Sequence, residues 1–286
     1  MKNIKYFFQF LFIYFLLIIF KIIGLKMARF LSSNLFLHFG PFFRSKKIIE
    51  KNISLVFSQS NIEFKKRIMD NMWKSYGKIL AEYVFIKQFR NMKSEKFLEI
   101  KGQKILDEVK FSKNPVIFIS GHFDNFELMA MHIERSGIDI AAIYRPLNNI
   151  FLNPLMENIR KKYICCKQIK KGISGTKEIL KHFKSGTSIA LMIDQRVSQG
   201  TRSLFFNKEA LTTTIPAQFV KKYNCKIIPI YIERKNNENF FLEVMDPLIF
   251  ENNQTIDNIT LKLNQTLEQM ITRNPNQWIW SHNRWK

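Results

Sequence analysis

The sequence of 286 residues predicts an α/β fold, a sheet flanked by helices, preceded by an N-terminal membrane-crossing helix. Two patterns carry that reading. From about residue 100, short apolar runs alternate with amphipathic stretches, as strands and helices do in an α/β sheet. Ahead of them, Tyr6–Phe20 reads YFFQFLFIYFLLIIF, and the run resumes after Lys21 through Ile22, Ile23 and Leu25. About 20 such residues in a helix cross the hydrocarbon layer, and a lysine near one end extends its ammonium to the interface.

The elements follow in order. Residues 1–25 form the expected anchor. A cleaved signal peptide is the rival reading, but it carries an apolar region of about 7–15 residues ending in small residues at a cleavage site. Here Lys21, Lys26 and Arg29 follow instead, so the anchor is expected to be retained. Lys2 and Lys5 precede the span, whereas Lys21, Lys26, Arg29, Arg44, Lys46 and Lys47 follow it. The positive-inside rule then places the rest of the chain on the cytoplasmic face, with a single pass. Residues 26–48, with ARFLSSNLFLHFGPFF at 28–43, read as a segment lying on the membrane surface. Residues 49–99 form a helical subregion in which Trp73, Tyr76, Ile79, Leu80 and Tyr83 share one face. Residues 100–286 form the α/β core. Its strands are expected at 115–120, 138–144, 187–193, 226–232 and 240–244. Its helices are expected near 125–136, 150–163, 174–185, 214–223 and 255–272.

Composition narrows the function classes. Hydrophobic residues make up 46% of the chain, which excludes wholesale disorder. Lysine and arginine number 45 against 23 acids, a formal net charge of +22. That balance attracts anionic partners: lipid headgroups, nucleic acid or an acidic carrier protein. Part of it reflects the abundance of Lys, Asn, Ile and Phe, which an AT-rich genome supplies. Cys165, Cys166 and Cys225 have neither disulfide parity nor CxxC spacing, so they read as reduced and no metal site is expected.

The chemistry-bearing stretch is PVIFISGHFDNFELMAMHIE. A buried strand ends at Ser120, Gly121 lets the backbone turn, and His122 stands where the strand gives way to a helix. Ligands of open α/β sheets bind outside the carboxyl ends of strands. Glu127 lies about one and a half helical turns on, where it is expected to hold the imidazole and leave the other nitrogen to accept a proton. The alternative is a satisfied histidine beside ordinary first-turn acids. Asp194 follows another buried run, again at a sheet's carboxyl edge, where an Asp-Gln pair can equally cap a loop. His38, His132 and His182 have no partner at a meaningful spacing and read as structural.

Ordered motifs add to this. GHFDNFE resembles the G-H-F-G-N-W-E of the late acyltransferases of lipid A biosynthesis, the lauroyl/myristoyl type. That family belongs to the lysophospholipid acyltransferase superfamily, whose motif is His-x4-Asp/Glu. LAEYVF (80–85), YRPLNN (144–149) with Arg160 in the next helix, LMIDQR (191–196) and NPNQWIWSHNRWK (274–286) are similar to further blocks of that family, in the same order. Two positions depart from it. Asp124 and Asn207 stand where the family more often has glycine, and Asp124 puts a second carboxylate beside His122.

The resemblance implies a mixed sheet flanked by helices, like that of glycerol-phosphate acyltransferases, and one acyltransferase domain over 26–286. It implies O-acylation, with His122, Glu127, Arg160 and Asp194 as catalytic residues and Arg145, Asn125 and Gln195 as substrate-binding ones. His122 would take the hydroxyl proton, Arg160 would face the oxyanion, with Arg145 as the alternative or as a clamp on a substrate phosphate, and Asp194 would orient Arg160 or an acceptor. It implies acyl carrier protein as donor, an anionic glycolipid as acceptor, the bacterial inner membrane as location, and neither cofactor nor metal. A glycerol-phosphate or lysophosphatidate acyltransferase is the alternative within the superfamily; a basic, membrane-tethered binder without chemistry is the alternative outside it. Trp278, Trp280 and Trp285, interleaved with His282, Arg284 and Lys286, fit packing or membrane contact better than nucleic-acid stacking.

Overall fold

The computed structural model describes residues 2–236 and 238–286. Helix α1 (Lys2–Phe43) opens the chain and is broken at Gly24, whose φ of 79° and ψ of 163° leave the helical region. Glycine alone adopts such angles without steric penalty. The arm before Gly24 is apolar and largely unburied, and α1 is long and apolar enough to cross a membrane. The arm after it packs on α3 (Ile62–Tyr83). Three contacts in reverse order make the pair antiparallel: Gly40 against Trp73, Ser32 and Ser33 against Gly77, and Arg29 against Glu82. A methyl at Gly77 would meet the Ser32 carbonyl oxygen at 2.2 Å, so the close approach requires glycine. Between them lies α2 (Lys46–Val56), whose N-terminus Ser45 caps, as Asn61 caps α3. The residues expected to lie on a membrane surface thus bury one stripe against protein, including Ala28, Arg29 and Gly40. Phe39, Phe42 and Phe43 stay exposed.

After α4 (Ile86–Asn91) the core begins with β1 (Leu98–Lys101), α5 (Gln103–Ser112), β2 (Ile117–Ser120), α6 (Glu127–Arg135), β3 (Ile140–Tyr144) and α7 (Leu152–Tyr163). It continues through β4 (Lys167–Lys170), α8 (Ile173–Lys184), β5 (Ser188–Met192), β6 (Thr201–Phe205), β7 (Lys208–Thr212), α9 (Ile215–Tyr223), β8 (Ile227–Lys235), β9 (Asn239–Val244) and α10 (Ile256–Arg273). Among the described residues seven strands form one sheet in the order β1-β9-β8-β2-β5-β3-β4. Strands β8, β2, β5, β3 and β4 run parallel, and β9 is antiparallel to β8. The expected mixed α/β sheet flanked by helices is therefore the observed fold.

The central strands explain why that order is stable. β2 buries all four residues and β8 seven of its nine, as strands covered on both faces must. Four features went unread in the sequence: β1 (LEIK), helix α5, β4 (KQIK) and the β6–β7 hairpin. β1 and β4 are four-residue edge strands whose charged positions break any apolar run. The hairpin turns at Phe206 and Asn207, with φ of 51° and 57°. Asparagine tolerates this left-handed region better than most residues, which accounts for Asn207 where glycine is usual in the family resembled.

Candidate active site

The register of β2 with β5 aligns Ser120 with Met192. Two residues past each strand, at the carboxyl edge of the sheet, stand His122 and Asp194. The Asp194 carboxylate takes the imidazole Nδ1 at 2.8 Å on Oδ1 and the backbone N–H of His122 at 2.8 Å on Oδ2. The indole N–H of Trp278 donates to Oδ2 at 2.9 Å. Burial opposes ionisation of Asp194, but the charge and hydrogen bonds of His122, with Trp278, outweigh it and hold its pKa below the usual carboxylate range. An ionised carboxylate only accepts, so Nδ1 carries a proton and Nε2 of the neutral ring is left as the acceptor.

This corrects the expected pairing of His122 with Glu127. The Glu127 carboxylate turns to α7 and α3: Arg160 donates to its Oε1 from Nε at 2.8 Å and from Nη2 at 2.6 Å, and the Tyr83 hydroxyl also donates to that oxygen. Glu127 is the first residue of α6, and its partners are Tyr83 and Arg160, not the histidine. Burial first, and then the Glu127 carboxylate, raise the Tyr83 pKa well above its ordinary value, so Tyr83 remains a donor. Arg160 lies 5.9 Å over the Tyr144 ring, and its Nη1 makes no hydrogen bond among the described residues.

Asp124 does not compete for His122 either. It sits at φ 32°, a conformation that aspartate and asparagine bear more easily than other non-glycine residues. Its carboxylate is buried against Arg234, which donates from Nη2 at 2.5 Å and Nε at 3.2 Å. Asn125, expected to bind substrate, is also turned inward and donates to Glu82 Oε2 at 2.8 Å. Asp194 was expected to orient Arg160 or an acceptor; its contacts go instead to His122 and Trp278.

His122, Glu127, Arg145, Arg160 and Gln195 all line a cavity of about 460 Å³, within the ~300–1,000 Å³ usual for small-molecule sites. Much of its lining is apolar, including Phe118, Met129, Ile133, Ala142, Ile164 and Ile230. The cavity also carries cations. Arg44, Arg145 and Lys171 line it, and none has an ion pair or side-chain hydrogen bond among the described residues. Partial desolvation and then the charge of Arg145 lower the Lys171 pKa. The cavity therefore offers apolar side chains to hydrocarbon and cations to an anion, with His122 and Arg160 on its wall.

The terminal block frames this site from behind. Trp278 and Trp280 are fully buried and 4.6 Å apart, so packing accounts for both. Gln277 accepts the Asp124 N–H on its carbonyl at 2.8 Å, while its amide brackets the backbone of Arg234. His282 lines the cavity and its Nε2 accepts the Arg196 N–H at 3.0 Å. Sequence reasoning did not find Glu82, Tyr83 or Arg234 as site residues. Glu82 and Tyr83 lay in the quoted LAEYVF block. Arg234 offered one signal, a basic residue near the end of a buried apolar strand.

A family model described as bacterial lipid A biosynthesis acyltransferase matches residues 1–286. The lipid A biosynthesis lauroyltransferase of Escherichia coli (strain K12) is 22% identical over 251 residues, 85% of this chain and 79% of that protein. The lipid A biosynthesis acyltransferase 2 of Shigella flexneri is 23% identical over 236 residues, 80% of this chain and 74% of that one. The solved 1-acyl-sn-glycerophosphate acyltransferase of Thermotoga maritima superposes with a TM-score of 0.42 at 12% identity, covering 90% of this chain and 100% of that one. The chain belongs to the bacterial lipid A biosynthesis acyltransferase family and is an acyltransferase.

Proposed function

We propose that this enzyme moves a fatty acyl chain from acyl carrier protein to a hydroxyl of a phosphorylated, sugar-based lipid A precursor at the inner membrane, with His122 as general base. The observation that carries the reading is the Asp194–His122 pair at 2.8 Å, its imidazole on the wall of a cavity lined by both apolar and cationic side chains. His122 Nε2 takes the proton of the acceptor hydroxyl as its oxygen attacks the thioester carbonyl. The tetrahedral oxyanion forms beside Arg160, whose Nη1 is uncommitted while Glu127 clamps its other nitrogens. Collapse breaks the carbon–sulfur bond, and the imidazolium returns its proton to the departing thiolate. Asp194 and Glu127 act through His122 and Arg160 and are positioning residues.

The apolar lining suits the acyl chain, and Arg44, Arg145 and Lys171 suit an anionic group of the acceptor. The exposed first arm of α1 suits a bilayer span, and the positive charge following it favours a cytoplasmic domain. The net charge of +22 suits docking of an acidic carrier. The test supplies purified enzyme with an acyl carrier protein thioester or the matching coenzyme A thioester, and with either a phosphorylated glucosamine lipid or lysophosphatidate. Product is read by mass spectrometry. The reading expects one added acyl group on the glucosamine lipid and a preference for the carrier thioester that shrinks with salt. Acylation of lysophosphatidate alone, or equal use of both donors regardless of salt, contradicts it.

A further inference from the structure

Behind the reacting loop lies a buried cluster of four charges. Glu82 is fully buried, and Arg29, Asp124 and Arg234 are each less than 10% exposed. Glu82 Oε1 accepts from Arg29 Nε and Arg234 Nη1, each at 2.6 Å, while Oε2 accepts from Asn125 at 2.8 Å and Arg234 Nη2 at 3.0 Å. Arg234 also binds Asp124. The two acids and two arginines cancel in charge. Burial opposes ionisation of Glu82, but Arg234, Arg29 and Asn125 outweigh it and keep its pKa below the usual range.

The cluster joins elements far apart in sequence. Arg29 belongs to α1, five residues beyond the break at Gly24; Glu82 lies in the last turn of α3; Asp124 and Asn125 follow His122 after Phe123; Arg234 is the penultimate residue of β8. The next residue after Glu82 is Tyr83, which grips Glu127 and Arg160. One helical turn therefore holds both the His122 loop and the Arg160 clamp, and the membrane helix grips that turn through Arg29. Buried ion pairs add little net stability compared with apolar packing, and their best-attested use is to fix one arrangement among several. The tie from α1 is also the least satisfied part. Arg29 Nη2 and Asn125 Oδ1 are buried without hydrogen-bond partners, and Arg29 otherwise rests over the Phe89 and Phe240 rings at 5.8 and 6.0 Å.

We propose that Arg29 is a positioning residue for acyl transfer: through Glu82 it sets the His122 loop and the Arg160 clamp, so that turnover depends on the anchor helix being seated on α3. The proposal rests on the reading of His122 as base. A reacting group displaced by about 1 Å can lose about 10²-fold in rate. Without Arg29, Glu82 keeps Arg234, so the fold persists while the loop gains freedom.

The experiment uses the full chain in proteoliposomes, with steady-state kinetics and melting temperatures for wild type, Arg29→Gln, Arg29→Lys, His122→Ala and Ile259→Val. The last is a buried α10 position outside the cluster that controls for general loss of stability. Arg29→Gln is expected to lower kcat about tenfold or more with KM for both substrates within about twofold. Arg29→Lys keeps the charge but not the Nε donor, and is expected about threefold below wild type. Ile259→Val is expected to keep wild-type kcat at a comparable melting temperature. Wild-type kcat in Arg29→Gln with a lowered melting temperature overturns the proposal. Should Arg29→Gln not fold, Arg29→Lys decides: a several-fold loss beside an unaffected Ile259→Val supports it, and wild-type kcat overturns it. Activity in His122→Ala would overturn the reading of the base, whereas an inactive His122→Ala beside fully active Arg29 variants would overturn this inference alone.

Discussion

Asp194 holds His122 at two points, the ring Nδ1 on one carboxylate oxygen and the backbone N–H on the other, each at 2.8 Å. One side chain thus sets both the tautomer of the imidazole and the path of the loop that carries it.

Asp194→Asn keeps the size of that side chain but allows the amide to face Nδ1 with a donor, which inverts the tautomer. The expected result is a fall in kcat of about 10²–10⁴-fold with little change in KM. Steady-state kinetics check it, with near-ultraviolet circular dichroism to confirm that Trp278 and Trp280 stay packed.

Arg160→Lys retains a charge but cannot both clamp Glu127 and present a free donor to the cavity. We expect kcat to drop about 10²-fold, the scale of losing one oxyanion donor. Tyr83→Phe removes one hydrogen bond of the same clamp and should cost about 1 kcal/mol, about fivefold in kcat. Kinetics of the two single variants and the double variant measure their coupling.

Arg145→Ala and Lys171→Ala should chiefly raise KM for the lipid acceptor, because both cations face the cavity without counter-ions. The defect should shrink when the acceptor is dephosphorylated. Parallel titrations with both acceptors check this, and equal defects on the two would remove the phosphate from the account.

Stability should fall in acid ahead of the depressed carboxylates Asp194 and Glu82. Burial, and then Arg135, lower the His132 pKa from 6.5 to about 4, and burial lowers that of His282 to about 4 despite Asp194. Folded pKa values below the unfolded ones mean that the unfolded chain binds more protons between those limits. Their stabilisation is therefore complete above about pH 6.5 and lost as pH falls towards 4. Asp194 and Glu82, whose pKa values are also depressed, lose theirs lower still, below about pH 4. Melting temperature should be level from pH 7 to 8 and decline from 6.5 to 4, with a shallower decline in His132→Gln.

The sequence displayed the parts of this fold that local pattern dictates. Buried strands such as β2 and β5 are continuous apolar runs, and α10 follows its Thr255 cap. Edge strands β1 and β4 carry charges on their open faces and look like loops. His122 could be placed because its strand and turn are contiguous. Its partner could not, because Asp194 lies 72 residues downstream and meets it through the β2–β5 register. Helical spacing pointed to Glu127 instead, whose carboxylate is claimed by Arg160 and Tyr83 from two other helices. The departures at Asp124 and Asn207 were visible as letters. Their meaning, two left-handed backbone positions, one of them locked by Arg234, needed the angles.

The central claim is that His122 takes the acceptor proton. The measurement that reaches it most directly is turnover of purified His122→Ala beside wild type, with acyl carrier protein thioester and the phosphorylated lipid acceptor. The account predicts a loss of about 10²–10⁴-fold in kcat with unchanged circular dichroism and melting temperature. Near-wild-type turnover by His122→Ala would contradict it.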